Sequence, residues 1–174
     1  ETTGKSAHWD QIVQIAAICT DENLKVLDKI NLTGSLNSFT VPNPEALLVN
    51  RIPIEKICNS NLSNYGLVSE VYNKFNDWSP AVFIGYNSIA FDEEVLRNAF
   101  FKNLYNPYLT VKNNNIRLDL LDVTRIANFF YPEKVKSLLS KKGSSILKLE
   151  SIAHTNGIKN FTAHDAMGDT FASL

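Results

Sequence analysis

The chain has 174 residues, 44% of them apolar and 20% charged, with a formal net charge of −1. This size and balance fit one soluble globular domain with a sizeable core and exclude a disordered or membrane-spanning class. The near-zero charge excludes a global attraction to nucleic acid but not a local basic groove.

The longest apolar runs, such as Ala81 to Ile84, fall far short of a bilayer span, and the start carries no secretory signal pattern. Cys19 and Cys58 lack metal or redox spacing and read as thiols of a reducing compartment. No repeat or low-complexity segment divides the chain.

In chain order, the β-branched runs QIVQIAAICT (Gln11 to Thr20) and VLDKINL (Val26 to Leu32) flank the polar DEN and predict two antiparallel strands. An irregular link follows through Pro42, Pro44 and Pro53, with a short helical piece around Glu45 to Asn50. Tyr65, Val68, Val71, Tyr72 and Phe75 recur at helical spacing and predict an amphipathic helix. The run AVFIGY (Ala81 to Tyr86), bounded by Pro80 and Asn87, predicts a buried strand. A helix from Phe91 to about Phe101, a strand near Arg117 to Leu120 and a helix from Asp122 to Tyr131 complete the middle. Strands interleaved with helices in this order argue for an α/β layer fold.

Acids recur at the ends of these elements. Glu1, taken alone, is an ordinary exposed terminal acid. Asp92, Glu93 and Glu94 open a helix after the strand AVFIGY, where the macrodipole favours acids in any case. In the tail AHDAMGD, four residues separate His164 from Asp169. In one continuous helix such a step turns two side chains about 140° apart. They converge only if His164 sits in the loop or first turn and Asp169 lies one turn inside the helix, which the polar NFTA before and the apolar Met167, Phe171 and Leu174 after permit.

Glu1, Asp92 and Asp169 are thus three carboxylates on separate elements, with a titratable group, His164, beside the last. Hard cations such as Mg²⁺ take a few carboxylates plus water and substrate phosphate. Two such ions roughly 3.5 to 4 Å apart can hold the attacking and leaving oxygens of a phosphoryl displacement. A histidine with a pKa near about 6.5 can take the proton of an attacking water. These are the parts of a metal-dependent nuclease.

The ordered set ETTG, GYNSIAFDEEVLRNAFFKNLYNPY, RLDLLDVTR and LESIAHTNGIKNFTAHDAMGD resembles the DEDDh 3′-5′ exonucleases, and among them the catalytic domain of the bacterial exonuclease I group. The resemblance covers nearly the whole chain. It implies a ribonuclease H-like α/β fold, a mixed β-sheet flanked by helices, as a single exonuclease domain over residues 1–174. Matched residue by residue, Glu1 corresponds to the second acid of the family's D-x-E motif, Asp92 to the next acid, His164 to the general base and Asp169 to the last metal ligand. The implied cofactor is Mg²⁺ or Mn²⁺, two ions per site, held by Glu1, Asp92 and Asp169. The turn Thr2-Thr3-Gly4 resembles the segment whose backbone approaches the terminal nucleotide, glycine permitting close approach.

The same resemblance implies a chain cut at both ends, one metal ligand and further DNA-enclosing domains lying outside it, and so poor hydrolysis by this chain alone. It implies a cytoplasmic enzyme of DNA repair or recombination that acts on single-stranded DNA, meets no membrane and touches single-stranded DNA-binding protein through its other domains. An RNA-directed or proofreading exonuclease, or a nucleic-acid-binding fragment with impaired catalysis, is the alternative. The segment HWDQIVQ departs from the Arg-Pro pair common in the family at Gln11 and Ile12. Lys134, Lys136, Lys141, Lys142 and Lys148 fit phosphate contacts and equally a solvated loop. Tyr86, Phe91 and Phe101 read as core rather than as base-stacking platforms.

Overall fold

A computed structural model describes residues 1–158 and 165–174. The first two runs form the expected hairpin, β1 (Gln14–Thr20) against β2 (Val26–Thr33), with Gln14 opposite Thr33. Asp21 closes its turn by accepting the N–H groups of Asn23 and Lys25, while Leu24 supplies the left-handed residue at φ 61°. The strand starts later than Gln11 because Gln11 to Val13 are engaged by Glu1 to Thr3 instead.

The proline-rich link contains two short helices, α1 (Pro44–Asn50) and α2 (Ile54–Cys58), the second of which the sequence pattern did not single out. Ile57 of α2 is fully buried with Val13 and Ile52 in a small core under this link.

The main core is built on α3 (Asn64–Asp77). Ser63 caps it by accepting the Gly66 N–H, and its apolar stripe of Leu67, Val68, Val71 and Phe75 is buried. Against that stripe pack Ile12 and Ile30 from the hairpin side, and Val95 and Phe100 from α4 (Asp92–Lys102). Leu67 has no exposed surface, and a Cβ at Gly34 would stand 2.9 Å from its Cδ1, so side chain and backbone are already in contact. Leu67→Ala is therefore expected to destabilise the fold by about 2–5 kcal/mol, read as a lower urea midpoint. A change near zero would place the core elsewhere.

Strand β3 (Val82–Gly85) runs parallel to β4 (Ile116–Asp119), with Gly85 opposite Asp119. The expectation that AVFIGY forms a buried strand is corrected. Val82 and Ile84 are 52% and 55% exposed, and Ile116 and Leu118 beside them are also exposed. Phe83 packs inward on the core, so the run is covered on one face only. Helix α5 (Leu120–Phe130) follows β4 directly.

A small hairpin, β5 (Leu138–Leu139) with β6 (Ser145–Ile146), then presents Lys141 and Lys142 at its turn, where Gly143 adopts φ 80°. Helices α6 (Leu149–Thr155) and α7 (Ala166–Ser173) end the chain, and α7 packs on β1. Antiparallel and parallel pairs thus occur with helices around them, the mixed α/β architecture expected. Among the described residues they stand as separate two-stranded sheets rather than one continuous sheet. Among those residues no helix is long and apolar enough to cross a membrane.

Candidate active site

Glu1 is held by backbone pairing to the start of β1. Its amino group donates to the Gln14 carbonyl at 2.7 Å, and its own carbonyl accepts the N–H groups of Val13 at 2.9 Å and Gln14 at 3.2 Å. Thr2 and Thr3 continue this pairing and are buried. The Thr3 hydroxyl donates to Asp10 at 2.7 Å and the Thr2 hydroxyl to the Gly4 carbonyl at 2.6 Å. The Asp10 carboxylate also accepts the Ser6 N–H at 2.8 Å. A Cβ at Gly4 would lie 2.5–2.7 Å from that carboxyl group, so a side chain there would have to displace Asp10 from its bonds to Thr3 and Ser6.

Asp92 is the first residue of α4, reached from β3 through the loop Tyr86 to Phe91. Its side chain keeps solvent access, yet the protein around its carboxyl pushes the pKa above the ordinary 3.8. The Glu1 carboxylate and Glu93 push it up further, while the chain's amino group and the Asp92 N–H pull it down. Desolvation by the surrounding protein outweighs these two attractions. Glu1 and Asp92, ninety-one positions apart in sequence, therefore share one electrostatic neighbourhood. Neither lies within ion-pair distance of a side-chain cation among the described residues.

Asp169 is the fourth residue of α7, one turn inside it as the sequence implied. Asp165 caps that helix by accepting the Gly168 N–H at 3.0 Å. The cap is tied to β1 through the buried Gln14, whose side-chain amide reaches Asp165 at 3.4 Å and Asn31 at 3.1 Å. The residue whose backbone holds Glu1 therefore also holds the start of the helix carrying Asp169. His164 lies outside the described residues.

Among the described residues no three His, Cys, Asp or Glu side chains are gathered as a cation site. The chemistry of the donors nonetheless fits a hard divalent ion: carboxylates from separate elements, two of them mutually repelling, in a place that keeps solvent access. Of these acids, Glu1, Asp92 and Asp169 would hold it.

Glu93, which the sequence offers only as a helix-start acid, is 7% exposed. It accepts the Thr110 hydroxyl at 2.7 Å and faces Arg117 at 3.5 Å, fastening α4 to β4. Phe91 packs on the main core and the Tyr86 hydroxyl donates to the Leu147 carbonyl, but Phe101 is 69% exposed, so its assignment to the core is corrected. Helix α4 turns that position outward while Phe100 points in. The five lysines are exposed. Sequence patterning missed Gln14, Asp10 and Asp119 because polar residues inside or beside strands give no periodic signal. Only Asp119, directly before the apolar start of α5, carries a cap signature.

A raised carboxyl pKa has a defined sign in stability. The contribution of Asp92 to the metal-free fold is fully present below its ordinary value of 3.8 and is lost as pH rises through its elevated value. The melting midpoint of Asp92→Asn relative to the unsubstituted protein should thus shift in favour of the variant as pH climbs from below 3.8 to neutrality in chelator. Saturating Mn²⁺ should remove that advantage. A shift of the opposite sign in chelator would contradict the desolvation of the Asp92 carboxyl by the protein around it, to which Glu1 adds a smaller repulsion.

Known proteins resemble this chain along its whole length. The RNase_T exonuclease family matches residues 1–174. Exodeoxyribonuclease I of Escherichia coli is 30% identical over 177 aligned positions, covering all of this chain and 37% of the relative. The crystal structure of E. coli exonuclease I with a dT13 oligonucleotide superposes with a TM-score of 0.92 at 31% identity, over 99% of this chain and 38% of that one. The zinc-ion-bound E. coli exonuclease I complex with single-stranded DNA gives 0.89 at 30% identity, over 99% of this chain and 37% of that one. The chain spans little more than a third of the relatives it matches. With the ribonuclease H-like fold and a match along its full length, the chain belongs to the RNase_T exonuclease family.

Proposed function

We propose that this chain carries the catalytic centre of a metal-dependent 3′-5′ exodeoxyribonuclease that releases nucleoside 5′-monophosphates from single-stranded DNA. The observation that carries this reading is a frame shared with an exonuclease I crystallised on an oligonucleotide, on which the Glu1 carboxylate is one of the groups that raise the pKa of Asp92. Divalent cations, Mg²⁺ or Mn²⁺, would supply the charge that lets a phosphodiester approach these acids, which would otherwise repel it. Glu1, Asp92 and Asp169 would hold the cations. His164 takes a proton from water as the water oxygen bonds to the phosphorus of the terminal phosphodiester. The bond from that phosphorus to the 3′ oxygen of the preceding nucleotide breaks, and that oxygen takes up a proton from solvent, leaving a free nucleotide and a shortened strand with a 3′ hydroxyl.

The backbone of Thr2, Thr3 and Gly4 borders the terminal nucleotide in this reading, the hydroxyls of both threonines being committed to internal bonds. A cytoplasmic role in DNA repair or recombination and contact with single-stranded DNA-binding protein belong to the same proposal. So does the extent of the exonuclease domain, residues 1–174.

The test is hydrolysis of 3′-labelled single-stranded DNA by the native gene product, in Mg²⁺ or Mn²⁺ and after exhaustive chelation, beside a matched RNA. The expected result is stepwise release of labelled 5′-monophosphate that stops on metal removal. Undiminished hydrolysis without metal would overturn the mechanism. Preference for RNA would reassign the substrate, and binding without turnover would make the chain a nucleic-acid-binding domain.

A further inference from the structure

Asp119 ends β4 and is buried, 7% exposed. Its carboxylate accepts three backbone N–H groups: Leu121 at 2.9 Å, Asn87 at 2.8 Å and Ile89 at 3.1 Å. The first is the bond an N-cap makes to start a helix, here α5. The other two serve a different segment, the loop that carries the chain from β3 to Asp92. In that loop Asn87 is left-handed at φ 59°, and Ser88 folds back so far that a Cβ on Gly85 would stand 2.7 Å from the Ser88 Cβ. The Ser88 carbonyl in turn accepts the N–H groups of Phe91 at 3.3 Å and Glu93 at 2.8 Å, fixing the first turn of α4. Two hydrogen bonds thus tie Asp119 to the covalent segment Asn87–Ile89, and a third ties the Ser88 of that segment to Glu93, the residue next to Asp92.

We propose that Asp119 is a positioning residue for Asp92: its carboxylate locks the β3–α4 loop and so sets where the Asp92 carboxyl stands relative to Glu1. A capping role needs only one acceptor, and the two further bonds are what the cap leaves unexplained. Bonds to an ionised acceptor are roughly twice as strong as neutral ones, so a carboxylate holds this loop better than any neutral side chain of similar size. Partners one layer behind a metal ligand typically govern metal affinity or activity by about 10–100-fold when removed. The inference rests on the reading of Asp92 as a cation ligand.

Two variants of the native gene product separate this role from capping. Asp119→Ser keeps a good cap for α5 but cannot span to Asn87 and Ile89, and Asp119→Asn keeps the size while turning an N–H₂ group toward one of the loop donors. Both are expected to weaken calorimetric Mn²⁺ binding by about 10–100-fold. Single-turnover DNA hydrolysis should fall at low Mn²⁺ and recover in part at high Mn²⁺, with the KM for DNA little changed. A purely structural role would lower the melting midpoint and leave Mn²⁺ affinity below that midpoint as it was, which would overturn the inference.

If the unsubstituted protein itself binds no Mn²⁺, the functional reading falls instead. Should neither variant fold, hydrogen exchange in the unsubstituted protein decides. The Asn87 and Ile89 amides should be protected as strongly as the Leu121 amide, and exchange at the rate of open loop amides would refute the lock.

Discussion

Asp169→Asn is expected to lower divalent-cation affinity and DNA turnover together. The substitution keeps the size of the side chain and its place one turn inside α7, where Asp165 maintains the cap, so the helix should remain docked on β1. What it removes is one negative charge from a set whose other described members, Glu1 and Asp92, already repel each other. A hard cation is bound chiefly by such charges, and an amide oxygen is a weaker donor than a carboxylate. The loss should be at least the about 10–100-fold that follows removal of a group one layer further out. It should be visible both in a calorimetric Mn²⁺ titration and in single-turnover hydrolysis at fixed metal. A variant that keeps full cation affinity and loses only turnover would give Asp169 a different role.

The second large effect has the opposite signature. His164→Ala leaves every carboxylate in place, so binding of Mn²⁺ and of DNA should persist while turnover falls by about 10²–10⁴, the usual worth of a general base. The rate of the unsubstituted enzyme should rise with pH as a histidine in this role gives up its proton, and the variant should lose that rise. Loss of Mn²⁺ binding on His164→Ala, with circular dichroism unchanged, would make the histidine a ligand and remove it from the proton-transfer step.

Much of the fold was legible in the sequence where one period dominated. The stripe of Val68, Val71 and Phe75 marked α3, and the two β-branched runs around DEN marked the first hairpin, because in each a single face meets the core. Boundaries were less legible. Gln11 to Val13 look like strand and are drawn instead to Glu1 to Thr3, a pairing between distant segments that local pattern does not encode. AVFIGY reads as a buried strand, yet alternate residues are exposed, since an apolar run has the same appearance whether one face or two is covered.

The candidate site divides in the same way. Asp92 and Asp169 stand out in the sequence as acids near helix starts, but their reading as ligands, like that of Glu1, rests on the resemblance of the whole ordered set. The groups that hold them, Gln14 behind Glu1 and α7, Glu93 behind α4 and Asp119 behind the β3–α4 loop, emerge from tertiary contacts alone.

In the proposed mechanism, acids from separate elements, Asp92 foremost, assemble one cation site. Calorimetric titration of Mn²⁺ into the metal-free native gene product and into its Asp92→Asn variant tests it most directly. Saturable binding is expected in the first and binding weaker by more than about tenfold in the second, with the circular dichroism spectrum retained. Equal Mn²⁺ affinity in the two proteins would contradict it.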